Sequence, residues 1–169
     1  MKKHTIYLLI FCCFFAIASS ANAQTKASGT MECGTADSTY MIQIPGQEGS
    51  SFAVTKSKCT WTKSFTIEGI ESTHNKGVNF TETTGTSVQG IGSGATYYKN
   101  GDKTFHRSNV TYDPKTMIYT VKWMYVGGTG KFQGIKGGGT GSCKAKSAEL
   151  GAGVTCEASG EYTLPATKK

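Results

Sequence analysis

An antiparallel all-β fold follows from three features of the chain. Beyond residue 23, no window keeps the i, i+3, i+4 apolar spacing of an amphipathic helix. Short alternating segments recur instead, broken by glycines and by an Asn-Gly turn. Glycine is abundant, at 22 of 169 residues, and Thr and Ser are also frequent. These segments make about eight or nine strands, and eight are enough to close a small barrel around side chains or one ligand.

The N-terminus reads differently. Lys2 and Lys3 precede an almost uninterrupted apolar run from Ile6 to Ile17, and Ala21-Asn22-Ala23 then supplies a small-residue cleavage site. This is the pattern of a secretory leader cut after Ala23, with residues 24–169 left as one barrel domain. The run is shorter than the ~20 residues that a spanning helix needs, so the cleaved protein is not expected to be integral to a membrane. Cys12 and Cys13 lie inside the run, where a lipid-bearing cysteine would not be placed. A secreted or periplasmic location follows.

The formal net charge is +7, but the lysines are spread along the chain and form no basic block. With export, that spread argues against nucleic acid as a partner. Four cysteines remain after the leader: Cys33, Cys59, Cys143 and Cys156. Two disulfides are expected, and of three connectivities the favoured one joins sequence neighbours, Cys33–Cys59 and Cys143–Cys156. Each would contribute roughly 3 kcal/mol in the loop-entropy model. No C-x-x-C pair exists, so no metal site is expected of these thiols.

Taken in order, residues 28–33 form a first short strand, and residues 35–51 a long exposed loop with room for a brief strand near Met41. A long strand from Phe52 to about Lys63 puts Ala53, Cys59 and Trp61 on one face and Val54, Lys56 and Lys58 on the other. Phe65, Ile67 and Gly69 begin another strand, and the polar residues 71–76 read as a loop carrying His74. In residues 78–98, Gly90, Gly92 and Gly94 at period two leave one strand face bare, which suits a bend or a close approach of other side chains. Asn100-Gly101 predicts a type I′ hairpin turn. Residues 117–125 alternate cleanly, with Met117, Tyr119, Val121, Trp123 and Tyr125 on the core side. Cys143 and Cys156 then face each other across a final hairpin.

Between these last two features lies YVGGTGKFQGIKGGGTG, Tyr125 to Gly141, with eight glycines in seventeen residues. It is not a phosphate loop: Tyr125 occupies the position of the first required glycine, and Phe132 that of the magnesium-binding Ser or Thr. Gly128-x-Gly130 lacks the third glycine of a dinucleotide fingerprint, because Gln133 displaces it, and no βαβ context surrounds it. The structural reading is a corner: Gly127-Gly128 end one strand, residues 131–135 return as a short strand, and Gly137–Gly139 permit a second bend.

This stretch, GGTGKFQGIKGGG, resembles the G-G-T-G-[RK]-F motif of dirigent and allene oxide cyclase-type β-barrels. Cys59-Thr60-Trp61-Thr62, Asn100-Gly101-Asp102-Lys103 and Gly160-Glu161-Tyr162-Thr163-Leu164-Pro165 are similar to segments of uncharacterised bacterial secreted proteins. The resemblance implies a single antiparallel eight-stranded barrel with a central cavity, and a homo-oligomer, since plant members often form trimers. Those members guide radical coupling or cyclise an unstable epoxide. Their catalytic acids have no counterpart that can be placed on numbered residues of this chain.

Candidate ligand-binding residues are therefore taken from the residues themselves. Trp61 and Trp123 belong first to a core and second to a cavity lining. Arg107, the lone arginine, shares a strand face with Phe105 and Asn109; if that face is interior it needs a carboxylate, with Glu68 or Glu82 as candidates. His106 shares its face with Thr104 and Ser108, which reads as solvent-exposed. Asn79-Phe80-Thr81 and Asn109-Val110-Thr111 match the glycosylation pattern but count only in a glycosylating host, and the short leader looks bacterial. The leading expectation is non-catalytic: a small apolar or amphipathic ligand in the barrel, or an extracellular interaction role, without a cofactor. The alternative is a cofactor-independent isomerase or cyclase, or a dirigent-like guide for a reactive hydrophobic substrate. The intact mass of the exported protein should match a chain that begins at Gln24 (free or cyclised to pyroglutamate); a mass retaining the apolar run would overturn the leader assignment.

Overall fold

The structure, a computed structural model, describes residues 24–149 and 151–166; the expected leader, residues 1–23, lies outside the described residues. Ten strands follow one another: β1 Thr25–Cys33, β2 Ser38–Gln43, β3 Ser50–Lys63, β4 Thr66–Ile67, β5 Ile70–Thr84, β6 Ser87–Tyr98, β7 Lys103–Asp113, β8 Ile118–Gly128, β9 Lys136–Ala145 and β10 Val154–Thr163. Every pairing among them is antiparallel. Eight strands close on themselves in the order β1-β3-β5-β6-β7-β8-β9-β10, with β10 back on β1. Closure removes the unpaired edges that an open sheet would present. β2 and β4 are additions: β2 covers the part of β3 that β1 does not reach, and β4 forms a two-residue ladder on β5.

Alternation decides the faces of β3 and β8 as expected. Ala53 and Cys59 are buried with Trp61 on the inside of β3, while Val54, Lys56 and Lys58 are exposed. Lys122 and Met124 face out of β8, and Tyr119, Val121, Trp123 and Tyr125 face in. The bridges Cys33–Cys59 and Cys143–Cys156 are both formed. They lie side by side on four neighbouring strands, β3, β1, β10 and β9, and form one buried cluster with Met31, Tyr119, Val121 and Val154. Such bridges fit an extracellular or periplasmic protein.

One end of the barrel is packed shut. Phe65, Ile67, Tyr98, Phe132, Ile135 and Tyr162 form its core, with Phe132 and Ile67 wholly excluded from solvent. Here the glycine stretch behaves differently from its expectation. Residues 131–135 are not a strand: Gly130–Phe132 is a single 3-10 turn that drives Phe132 inward against Tyr98, with ring centroids 4.4 Å apart. Gly137–Gly139 do not bend the chain out of the sheet but lie within β9.

The corner is held by the β6–β7 hairpin. The Asp102 carboxylate accepts the Lys131 backbone N–H at 3.0 Å, and Thr129 Oγ1 accepts that of Lys103 at 2.9 Å. Gly130, at φ +50°, has no room for a Cβ beside that carboxylate, and a Cβ on Gly128 would lie 2.8 Å from Phe132 Cβ. The Asn-Gly-Asp-Lys and Gly-Gly-Thr-Gly-Lys-Phe segments, far apart in sequence, thus form one clasp.

Two local expectations are corrected. The Asn100-Gly101 hairpin is not type I′, because only Gly101 (φ +85°) takes the left-handed conformation. Its bonds from Gly101 N–H to Tyr98 O and from Tyr98 N–H to Asp102 O make a three-residue turn with a glycine bulge. The type I′ geometry falls instead at Glu68-Gly69, between β4 and β5, with φ +48° and +73°. Residues 71–76, expected as a loop, are strand, because β6 pairs along one side of them and β4 and β3 pair with their two ends on the other, despite their polarity.

Truncating the plug tests this arrangement. Phe132→Ala should cost roughly 3–5 kcal/mol in urea unfolding, as large-to-small changes in packed cores do. Thr129→Ala should cost about 1 kcal/mol for its single hydrogen bond. A loss below 1 kcal/mol for the Phe132 variant would contradict a packed end.

Candidate functional site

Above the plug the barrel is hollow and partly open to solvent, with a cavity of about 240 Å³. Its wall has two chemistries. β1, β8, β9 and β10 supply an apolar half, in which Trp123, Tyr125, Tyr119 and Val121 stand beside the two disulfides; Trp61 of β3 joins them. Phe65 is the hinge of the aromatic set, with Trp61 at 5.7 Å and Trp123 edge-on at 5.9 Å between centroids. The facing half, from β3, β5, β6 and β7, is small and polar: Thr55, Ser57, Asn79, Thr81, His106 and Ser108.

Glycines create the space for this polar half. Gly90, Gly92 and Gly94 turn their missing side chains inward from β6, and the neighbouring strands lean over them. A Cβ on Gly94 would lie 2.8 Å from His106 Nε2, and one on Gly92 would lie 2.6 Å from Ser108 Oγ and collide with Asn79 Oδ1. β6 is thus a bare track on which an imidazole, an amide and a hydroxyl converge. Asn75 is tied back by donating its amide to Thr96 Oγ1 at 3.0 Å. Thr81 Oγ1 and Trp61 Nε1 are buried without a hydrogen-bond partner among the described residues. Each is a polar atom that a ligand or water could satisfy.

The interior is electrically neutral. No Lys, Arg, Asp or Glu lines the cavity among the described residues. Burial alone pushes the His106 imidazole down from 6.5 to about 4, so it is uncharged at neutral pH. Burial pushes the Tyr98 hydroxyl up to about 12, and it raises Tyr125 further, with Tyr98 and Tyr162 adding to the effect. Tyr119 is raised by burial and then by Tyr112. All four stay protonated or neutral in the way that a low-dielectric site demands.

The residues singled out from sequence divide. Trp61 and Trp123 line the cavity. Arg107 does not: β7 turns Thr104, His106, Ser108 and Val110 inward, leaving Phe105, Arg107 and Asn109 exposed. The expectation of an exposed His106 is therefore reversed. Both faces of β7 carry polar groups, so alternation alone does not say which is inside. Glu68 is also outside, in the turn at the plugged end, where Tyr162 donates to its Oε1 at 3.3 Å and accepts its backbone N–H at 3.1 Å. Glu82 pairs with Phe52 and Gln89 outside the cavity lining, so no guanidinium–carboxylate pair is assembled within. Asn79 faces the interior, which removes its glycosylation pattern from the surface. Sequence reasoning missed Asn79, Thr81, His106 and Ser108; the period-two glycines were the signal that pointed to them. No group of three or more His, Cys, Asp or Glu is placed to hold a metal among the described residues.

No protein-family model matches the chain, and no curated protein does. Solved structures do. The pterocarpan synthase dirigent protein GePTS1 superposes with a TM-score of 0.54 at 10% identity, covering 86% of this chain and 90% of its own. The dirigent protein PsPTS1 gives 0.50 at 12%, covering 83% and 95%. A protein of unknown function from the DUF3224 family of Shewanella oneidensis MR-1 gives 0.55 at 13%, covering 85% and 100%. At such identities the likeness is one of fold. The chain has the closed dirigent-type barrel that the glycine motif implies.

His106 gives the site a pH signature. Its native pKa lies below its unfolded value, so the unfolded chain binds the extra proton first. The stability is complete above about pH 6.5 and falls as the pH drops toward 4, by about 3 kcal/mol at most. His74 is lowered in the same direction, by burial and then by Lys58 and Lys76, so the comparison must be made between variants. In urea titrations, His106→Asn should show a shallower loss of stability between pH 7 and pH 4 than the parent protein. Parallel profiles would contradict a buried neutral imidazole.

Proposed function

We propose that the protein is exported through a cleaved leader and binds an uncharged, amphipathic small molecule inside its barrel. The observation that carries this reading is the division of one neutral cavity into an aromatic, disulfide-backed half and a half of hydroxyls, amide and imidazole. Such a wall takes the apolar body of a ligand on one side and orients its polar edge on the other. Ionic ligands are disfavoured, because a buried charge would meet no counter-charge there. Trp61 Nε1–H is a free donor, while Thr81, Ser108 and Asn79 can donate or accept. Binding is favoured over the isomerase or cyclase alternative because Arg107 and Glu68, polar groups such an alternative could have used, face away from the cavity.

Trp61 and Trp123 are the two tryptophans of the chain and both line the cavity, so intrinsic fluorescence reports its occupancy. Titration with neutral N-phenyl-1-naphthylamine should quench that emission saturably at one molecule per barrel. Its sulfonated analogue should bind at least tenfold more weakly, and Ser108→Phe, which fills the polar half, should weaken the neutral probe by a similar factor. Equal affinity for both probes, or no effect of Ser108→Phe, would refute a neutral internal site.

A further inference from the structure

The outer face of β2, β3, β5 and β6 has an arrangement that the cavity does not use. Tyr40, Val54, Phe80 and Ile91 stand directly opposite one another across these four strands, forming one unbroken row. They are 70%, 38%, 45% and 61% exposed. The next row adds Ile42, 71% exposed, opposite Phe52, whose ring stacks on Phe80 at 5.4 Å between centroids. Val78 extends the patch on the other side at 45%. A contiguous apolar surface of this kind marks a place where something docks.

Its border is basic. Lys56 lies opposite Val78, Lys58 opposite Lys76, and Arg107 reaches the same row as Val78 through Ser93. All four cations are exposed, and none joins a salt bridge among the described residues. Glu82, opposite Phe52, is the carboxylate that shares these rows. Burying such a face against a second copy of itself would bring Lys and Arg toward Lys and Arg, which opposes association. An acidic polysaccharide would engage the cations and leave the aromatic row in water.

We propose that this face docks the protein onto an anionic lipid surface. There both features are used together: the row from Tyr40 to Ile91 enters the headgroup–acyl boundary, while Lys56, Lys58, Lys76 and Arg107 reach the phosphates around it. The aliphatic stems of the lysines cover apolar area as their ammonium groups stay at the headgroup level. The strands concerned carry the polar half of the cavity wall on their inner face, so docking would present the barrel to the lipid side-on. This inference stands on the outer face alone and does not depend on the ligand reading.

Flotation of the cleaved chain with vesicles tests it. Vesicles containing about a third phosphatidylglycerol should bind the protein at least tenfold more tightly than pure phosphatidylcholine vesicles, and 0.5 M salt should reverse most of this difference. The triple variant Lys56→Gln/Lys76→Gln/Arg107→Gln and, separately, Ile91→Ser/Phe80→Ser should each lose at least tenfold. Both should keep the parent's far-UV circular dichroism and its urea-unfolding midpoint, which shows that the barrel is intact. Equal binding to both vesicle types would overturn the proposal. So would heparin binding as tight as vesicle binding and unchanged by Ile91→Ser/Phe80→Ser. A stable oligomer in sedimentation velocity, dissolved by Ile91→Ser, would assign the face to a second copy and likewise overturn it.

Discussion

Phe132, carried inward on one 3-10 turn, fills the end of the barrel around which Ile67, Tyr98, Ile135 and Tyr162 gather. A closed eight-stranded sheet this small must be filled somewhere, and here the filling is concentrated at one end. That choice leaves the rest of the interior available. It depends on glycine at positions 128 and 130, because any side chain there would meet the Phe132 backbone or the Asp102 carboxylate. Asp102 and Thr129 then tie the corner to the β6–β7 hairpin, so the turn cannot swing out without breaking bonds on both sides.

What remains hollow is divided by strand, not by depth. β1, β8, β9 and β10, with Trp61 of β3, present the apolar groups, and the disulfides replace side-chain volume with two compact sulfur pairs. Across from them the glycine track of β6 lets polar groups from β5 and β7 fold over it. Neutral polar groups are tolerated in such a place because each can be satisfied by a partner of matching shape, whereas a charge would have to be paired. The structure keeps its guanidinium and its carboxylates on the outside, and its buried imidazole uncharged.

The outer surface shows the opposite distribution. Most of the large apolar side chains that the core does not use are gathered on β2, β3, β5 and β6, with cations at their border. Strands whose two faces are both mixed in polarity are hard to orient from sequence, since a period of two specifies a pair of faces without naming the inner one. β7 is the clearest case: Phe105, Arg107 and Asn109 share one face and His106 and Ser108 the other, and it is the His106 face that lies within. The polar segment from Glu71 to Lys76 was similarly unreadable, because its strand conformation is imposed by partners on both sides.

The sequence alone determined the all-β class and the faces of β3 and β8; it favoured the two cysteine pairings among three connectivities, and the barrel type came from the resemblance of its glycine stretch to known barrels. These rest on short-range patterns: strong alternation, cysteines brought opposite by neighbouring strands, and glycines at positions where a Cβ cannot fit. Only the tertiary structure decided that residues 131–135 plug an end, that Glu68 is spent on a turn with Tyr162, and that Arg107 lies outside while Asn79, Thr81, His106 and Ser108 line a cavity. Each of those outcomes depends on where the ring of strands closes, and closure is set by register between strands distant in the chain, which no local pattern records.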